Sequence, residues 1–138
     1  MIKIQAHNSF NLPMMEAQLK QARKAAVEAA RKPFANEAKR ITADEDHVDS
    51  SRFINSISER TDFPAVNKTG RGKISPSDGD IVNVLSETRD TTNLETGTAV
   101  DYAHFVERRY NIIARGLDNA EPDMHDAASK EIIKIITR

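Results

Sequence analysis

The sequence predicts a single α+β domain over residues 1–138: a small antiparallel sheet packed on a long kinked N-terminal helix, with a second helix at the C-terminus. Three observations predict it. Apolar residues at Met15, Leu19, Ala22, Ala26, Ala30, Phe34, Ala38 and Ile41 recur at steps of three or four, which places them on one helix face. Ile2-Lys3-Ile4-Gln5 alternates, and Ile81-Val82-Asn83-Val84-Leu85 is apolar on both faces, so both read as strands. A second helical stripe runs through Met124, Ala128, Ile132, Ile135 and Ile136.

The elements follow in chain order. Ile2–Gln5 is a short strand, and Asn8 to Pro13 is turn-like. In the long helix that follows, Lys20, Arg23, Lys24, Arg31 and Lys32 fall off the apolar stripe. Much of that stripe is Ala, so whatever packs on it must approach closely. Pro33 lacks an amide donor and is expected to kink or restart the helix. The acidic turn Asp44-Glu45-Asp46-His47 ends it. Asp49 or Ser50 then caps a short helix that buries Phe53 and Ile57 against the sheet.

Residues 67–79 carry Gly, Pro and Ser together with Lys68, Arg71 and Lys73, and read as a long flexible loop. A loop of that length is either mobile or ordered by a partner. Ile81–Leu85 is expected to be a central strand, and Thr88 to Gly97 a polar turn region. Thr98-Ala99-Val100 reads as a further strand leading to a helical turn over Ala103–Arg109, with Phe105 and Val106 turned inward. Ile112-Ile113 reads as a short strand and Asp118–Glu121 as a turn. Pro122 and Asp123 suit the first turn of the last helix.

Composition bounds the function. Leu, Ile, Val and Phe make up about 22% of the chain, just above the level of roughly 20% below which disorder is the default. A thin core of this kind is often completed by a partner subunit. No run of about 18 apolar residues is present. The first residues lack the apolar core of a secretory signal, so none is expected. The absence of Cys excludes disulfides, thiolate zinc sites and thiol catalysis. Two Tyr and no Trp leave few platforms for stacking single-stranded nucleic acid. Residues 1–43 carry a net +5 and residues 44–138 a net −6. Such asymmetry suits either solvated faces or a polar, head-to-tail assembly.

No catalytic or cofactor constellation emerges. The four His lack helical ligand spacing and no zinc motif is present. The acidic cluster around Asp44–Asp49 lacks the glycine and terminal Glu of a calcium loop. Gly70-Arg71-Gly72-Lys73 is not a phosphate loop, because Ile74 follows the Lys. Lys68, Arg71 and Lys73 could touch a phosphate backbone without reading sequence. The chain is therefore expected to be no enzyme, with no catalytic residue, cofactor or metal. Arg23 and Lys24 on the basic helix are expected to face an interface or DNA.

Two segments carry a family resemblance. Val48-Asp49-Ser50-Ser51-Arg52-Phe53-Ile54-Asn55-Ser56-Ile57 resembles a "D-T-G-x-L-x-x-S-I" element that follows a long, Ala-rich, basic helix. Val100-Asp101-Tyr102-Ala103-His104-Phe105-Val106-Glu107 resembles a "Y-A-x-x-V-E" element that follows a strand. In this order and spacing they are similar to the neck, or tail-completion (head–tail joining), proteins of long-tailed lambdoid bacteriophages. Ser50 and Ser51 stand where the family prefers Thr and Gly, and Arg108-Arg109 where it has Gly-Thr.

The resemblance implies a virion structural protein, made in the host cytoplasm, that forms a ring around the DNA channel between head and tail. A hexamer is favoured, with a dodecamer as the alternative. Its neighbours would be other connector and tail proteins, close to packaged DNA and away from membranes. A tail terminator capping the tail tube is a close variant. A small regulatory nucleic-acid-binding module is the reading from a different class. Asp49, Ser50, Phe53, Ile57, Tyr102, Phe105 and Glu107 are the motif residues, and capping and packing account for them chemically.

Overall fold

A computed structural model describes residues 1–7, 15–45, 47–48, 51–61 and 74–137. Eight elements follow in order: β1 (Ile2–His7), α1 (Glu16–Asp44), α2 (Arg52–Ser56), a 3₁₀ turn (Asp78–Asp80), β2 (Ile81–Glu87), β3 (Thr91–Thr98), α3 (Ala103–Tyr110) and α4 (Ile112–Ile136). The architecture is α+β, with a three-stranded antiparallel sheet in the order β1-β3-β2.

The strand predicted to be central, β2, is at an edge, and the stretch expected to be a polar turn is the central strand β3. The reason lies in its alternation. Thr92, Leu94 and Thr96 are almost fully buried on one face, while Thr91, Asn93 and Glu95 are half-buried on the other. Thr suits a pleated surface, and here its hydroxyl finds partners inside. Thr96 donates to Ser58 Oγ at 2.6 Å, and Thr92 accepts from Arg23 Nε at 3.3 Å. The register aligns Ile4, Leu94 and Leu85 across the three strands. One face of the sheet is thus covered by helix, and the other carries Lys3, Gln5 and His7 into solvent.

The predicted α1 stripe is buried from Ala22 to Ile41, and Phe34 and Ala38 are fully enclosed. Pro33 lies inside α1 without ending it. It offers no amide to the Ala29 carbonyl and its ring crowds that carbonyl, a cost that the packing on both sides of it offsets. The layer on the Ala-rich stripe is α4 of the same chain. Gly116 sits so close to Ala38 that an added Cβ would lie 3.1 Å from both the Ala38 Cα and Cβ. Small residues at both positions permit that approach.

The last helix begins ten residues earlier than Pro122 predicts, and Ile112-Ile113 forms its first turn instead of a strand. Glu107 is the cause. Its carboxylate accepts from the Ile113 amide at 2.7 Å and the Ala114 amide at 3.1 Å, two donors that a helix start leaves without intrahelical partners. Asn111 takes the left-handed conformation, φ 54°, that separates α3 from α4. Pro122 then sits in mid-helix on the exposed side, as does Asp118, whose carbonyl loses its bond. The core gathers Ile2, Phe34, Ile41, Phe53, Ile57, Ile112 and Met124 between sheet and helices.

Candidate assembly surfaces

The first resembling segment is held by its buried face and by one forked ion pair. Ser51 precedes α2 with φ 72°, and its side chain makes no capping bond. Asp49 and Ser50, the predicted caps, lie outside the described residues. Phe53 and Ile57 are buried in the main core, as their spacing predicts. Arg52 donates from Nε and Nη2 to the two carboxylate oxygens of Asp80, at 2.8 and 2.7 Å. That guanidinium holds the Asp80 carboxyl down to about 2, against the opposing effect of burial. Asp80 also accepts from the Ser77 amide at 2.9 Å, which closes the 3₁₀ turn as a capping box. Arg52 Nη1 lies 3.6 Å from Asp101 Oδ1. One arginine therefore joins the two resembling segments.

The second segment places its residues on opposite sides of α3. Tyr102, Ala103, Val106 and Tyr110 pack against the core at helical spacing. Phe105 was expected inside with Val106, but it is 64% exposed. One residue along a helix is a turn of about 100°, and the core takes the side of Val106, which leaves Phe105 turned outward. Glu107 serves the α4 amides, while Arg108 and Arg109 are exposed. The Arg109 guanidinium carbon lies 5.4 Å from the Tyr110 ring centroid.

The predicted basic interface on α1 is divided. Lys24 is exposed, but Arg23 is buried. Arg23 reaches across to the β2–β3 turn, donating to Thr92 Oγ1, to the Arg89 carbonyl at 3.1 Å and to the Thr88 carbonyl at 3.4 Å. It is an internal clamp, and assigning it to an external contact is corrected by this geometry. Lys68, Arg71 and Lys73 lie outside the described residues.

Several polar contacts had no signature in the sequence. Arg115 forks onto Glu45 at 2.6 and 2.7 Å, joining the end of α1 to the start of α4. It holds the exposed Glu45 carboxyl down to about 2. His47 stacks on Tyr110 at 3.6 Å between ring centroids. Lys39 is buried and donates to the Glu59 carbonyl and Thr61 Oγ1 at 3.2 and 3.0 Å. Burial lowers its amine to about 8. These pairs are separated by 20 to 70 positions, so local spacing says nothing of them.

Concavities flank α4 among the described residues. A groove of about 510 Å³ runs between β1 and α4, floored by Ala26, Val27 and Ala30. A pocket of about 340 Å³ opens between α1 and α4, lined by Pro33, Asn36, Glu37, Arg40, Ala120 and Asp123. Among the described residues no three His, Asp or Glu side chains gather into a potential metal site. Among them, too, no helix is long and apolar enough to cross a membrane. Comparison with protein-family models, curated proteins and solved structures finds no match.

Proposed function

We propose that the chain is a structural protein of a bacteriophage virion, a neck or tail-completion component that forms a ring at the head–tail interface around the DNA channel. The observation that carries this reading is the Arg52 joint. The two segments that resemble the phage family are about 50 positions apart, yet Arg52 of one approaches Asp101 of the other, and both pack on one core. Residues that resemble a family in order and spacing also form one structural unit here. The opposite net charges of the two parts of the chain support a head-to-tail contact between copies. In this reading the ring is a hexamer, with a dodecamer as the alternative, and the chain acts by assembly without catalysis. The basic residues Lys68, Arg71 and Lys73 then lie near packaged DNA.

The test is immunogold labelling and protein mass spectrometry of particles produced from the gene in its native genomic setting. Label confined to the head–tail junction is expected. Absence of the protein from purified particles overturns the reading.

A further inference from the structure

We infer that α3 is a knob which docks Phe105 into the α1–α4 pocket of a second copy of this chain, so that Pro33, Ala120 and Asp123 of the neighbour receive it. The inference rests on the ring reading and names the contact that would build the ring. Its first support is an exposed aromatic in an ordered helix. Phe105 stands 64% exposed, although its neighbours Tyr102 and Val106 are drawn into the core. Aromatic and Arg side chains together are the usual anchors of an interface.

The second support is charge complementarity. The exposed face of α3 carries His104, Phe105, Arg108 and Arg109. The one acid of that helix, Glu107, has its carboxylate engaged by the α4 amides. Arg108 and Arg109 form no ion pair among the described residues, so the face is net positive. The receiving surface is net negative. Between Arg115 and Lys130, α4 carries the exposed acids Asp118, Glu121, Asp123 and Asp126 and no Lys or Arg; Lys130 lies 3.4 Å from Asp126 and His125 3.6 Å from Glu121, while Asp118 and Asp123 have no ion pair among the described residues. At the pocket Arg40 is bridged by both Glu37 and Asp44, so that cluster is itself net negative by one charge.

The third support is fit. The depression of about 340 Å³ is open to solvent and takes the edge of a phenyl ring against Pro33, with the buried Ala120 beneath. Phe105 is not among the residues that line the pocket, so knob and socket are separate patches. A contact between two different patches is heterologous, and repeated around an axis it closes into a ring when its rotation divides the circle and runs on as a filament when it does not.

The experiment is sedimentation and native mass spectrometry of the full chain. The samples are the wild type, Phe105→Ala, Arg108→Glu/Arg109→Glu and Asp123→Arg, each with a thermal melt to confirm folding. Every altered residue is exposed, so melts close to wild type are expected. The wild type should form a discrete oligomer. Phe105→Ala should weaken it about thirtyfold, the effect of losing an interfacial anchor. Each charge variant alone should assemble more weakly than the wild type. Mixed in equal amounts, the two should assemble better than either alone, because the reversed knob of one meets the less negative socket of the other, and the unchanged knob meets an unchanged socket. Variants that assemble like the wild type overturn this contact and leave the ring standing. So does a mixture that fails where the wild type assembles. A wild type that is monomeric at every concentration overturns the contact as a self-assembly device. The neck reading is then still decided separately, by the labelling of particles.

Discussion

Arg23 and Lys24 are adjacent basic residues with opposite fates. Arg23 is 4% exposed and donates to two carbonyls and a hydroxyl at the β2–β3 turn, whereas Lys24 projects into solvent. Removing a buried donor leaves its acceptors unsatisfied, a loss of about 1–3 kcal/mol, and more for a charged group. Arg23→Ala is therefore expected to lower the urea midpoint by the equivalent of about 2–3 kcal/mol. Lys24→Glu is expected to stay within about 0.5 kcal/mol of wild type, as surface substitutions do. Equal midpoints for the two variants would remove the clamp. The sequence places both residues off the Ala stripe, but an Arg stem is long enough to lie buried and still reach the turn carbonyls of Thr88 and Arg89. Nothing in local spacing distinguishes that reach from exposure.

The helices α1 and α4 meet where Gly116 faces Ala38. A side chain at 116 would press on the Ala38 backbone as well as on its methyl group. Backbone cannot swing aside as a flexible side chain can. Gly116→Ala sets a helix-propensity gain of about 1 kcal/mol against overpacking of about 1–3 kcal/mol. Gly116→Val has a larger clash and no such gain, so it is expected to destabilise the fold by at least about 2 kcal/mol by urea denaturation. A wild-type midpoint in the Val variant would mean that the helices separate freely. At this scale much of the fold was legible. The stripe from Ala22 to Ile41, the strand at Ile2 and the buried pair Phe53 and Ile57 all follow from periodicity. β3 did not, because its inner face is Thr-Leu-Thr and reads as polar until the alternation is counted. The start of α4 did not, because a capping carboxylate five residues before the helix in another element leaves no mark on the helix's own sequence.

The molecule as a whole is joined at its corners by carboxylates paired with arginine. Arg52–Asp80 ties α2 to the turn before β2, and Arg115–Glu45 ties α1 to α4. Both carboxyls titrate near 2 in the folded chain, below the ordinary values of 3.8 for Asp and 4.5 for Glu. The unfolded chain therefore takes up protons first as pH falls. The stability these pairs contribute is complete above the ordinary values and is lost as pH falls toward 2. Asp80→Asn is expected to lower the urea midpoint at pH 7, and the gap from wild type should narrow as pH drops from about 5 to 2. A gap independent of pH would place the stabilisation elsewhere. The charges of the proposed contact were partly legible: Arg108-Arg109 and the run of acids in α4 can be read from the sequence, both within its net-negative part, while the exposure of Phe105 could not, since it depends on which side of α3 the core takes.

The Glu107 cap has a mechanical consequence. It binds the end of α3 to the first amides of α4 through two bonds, at 2.7 and 3.1 Å, so opening the elbow at Asn111 breaks both. α4 continues for 25 residues, a rod of about 37 Å at 1.5 Å per residue. The orientation of the short helix is thereby set by the first turn of the long one, and a change in one reaches the other as long as both bonds hold.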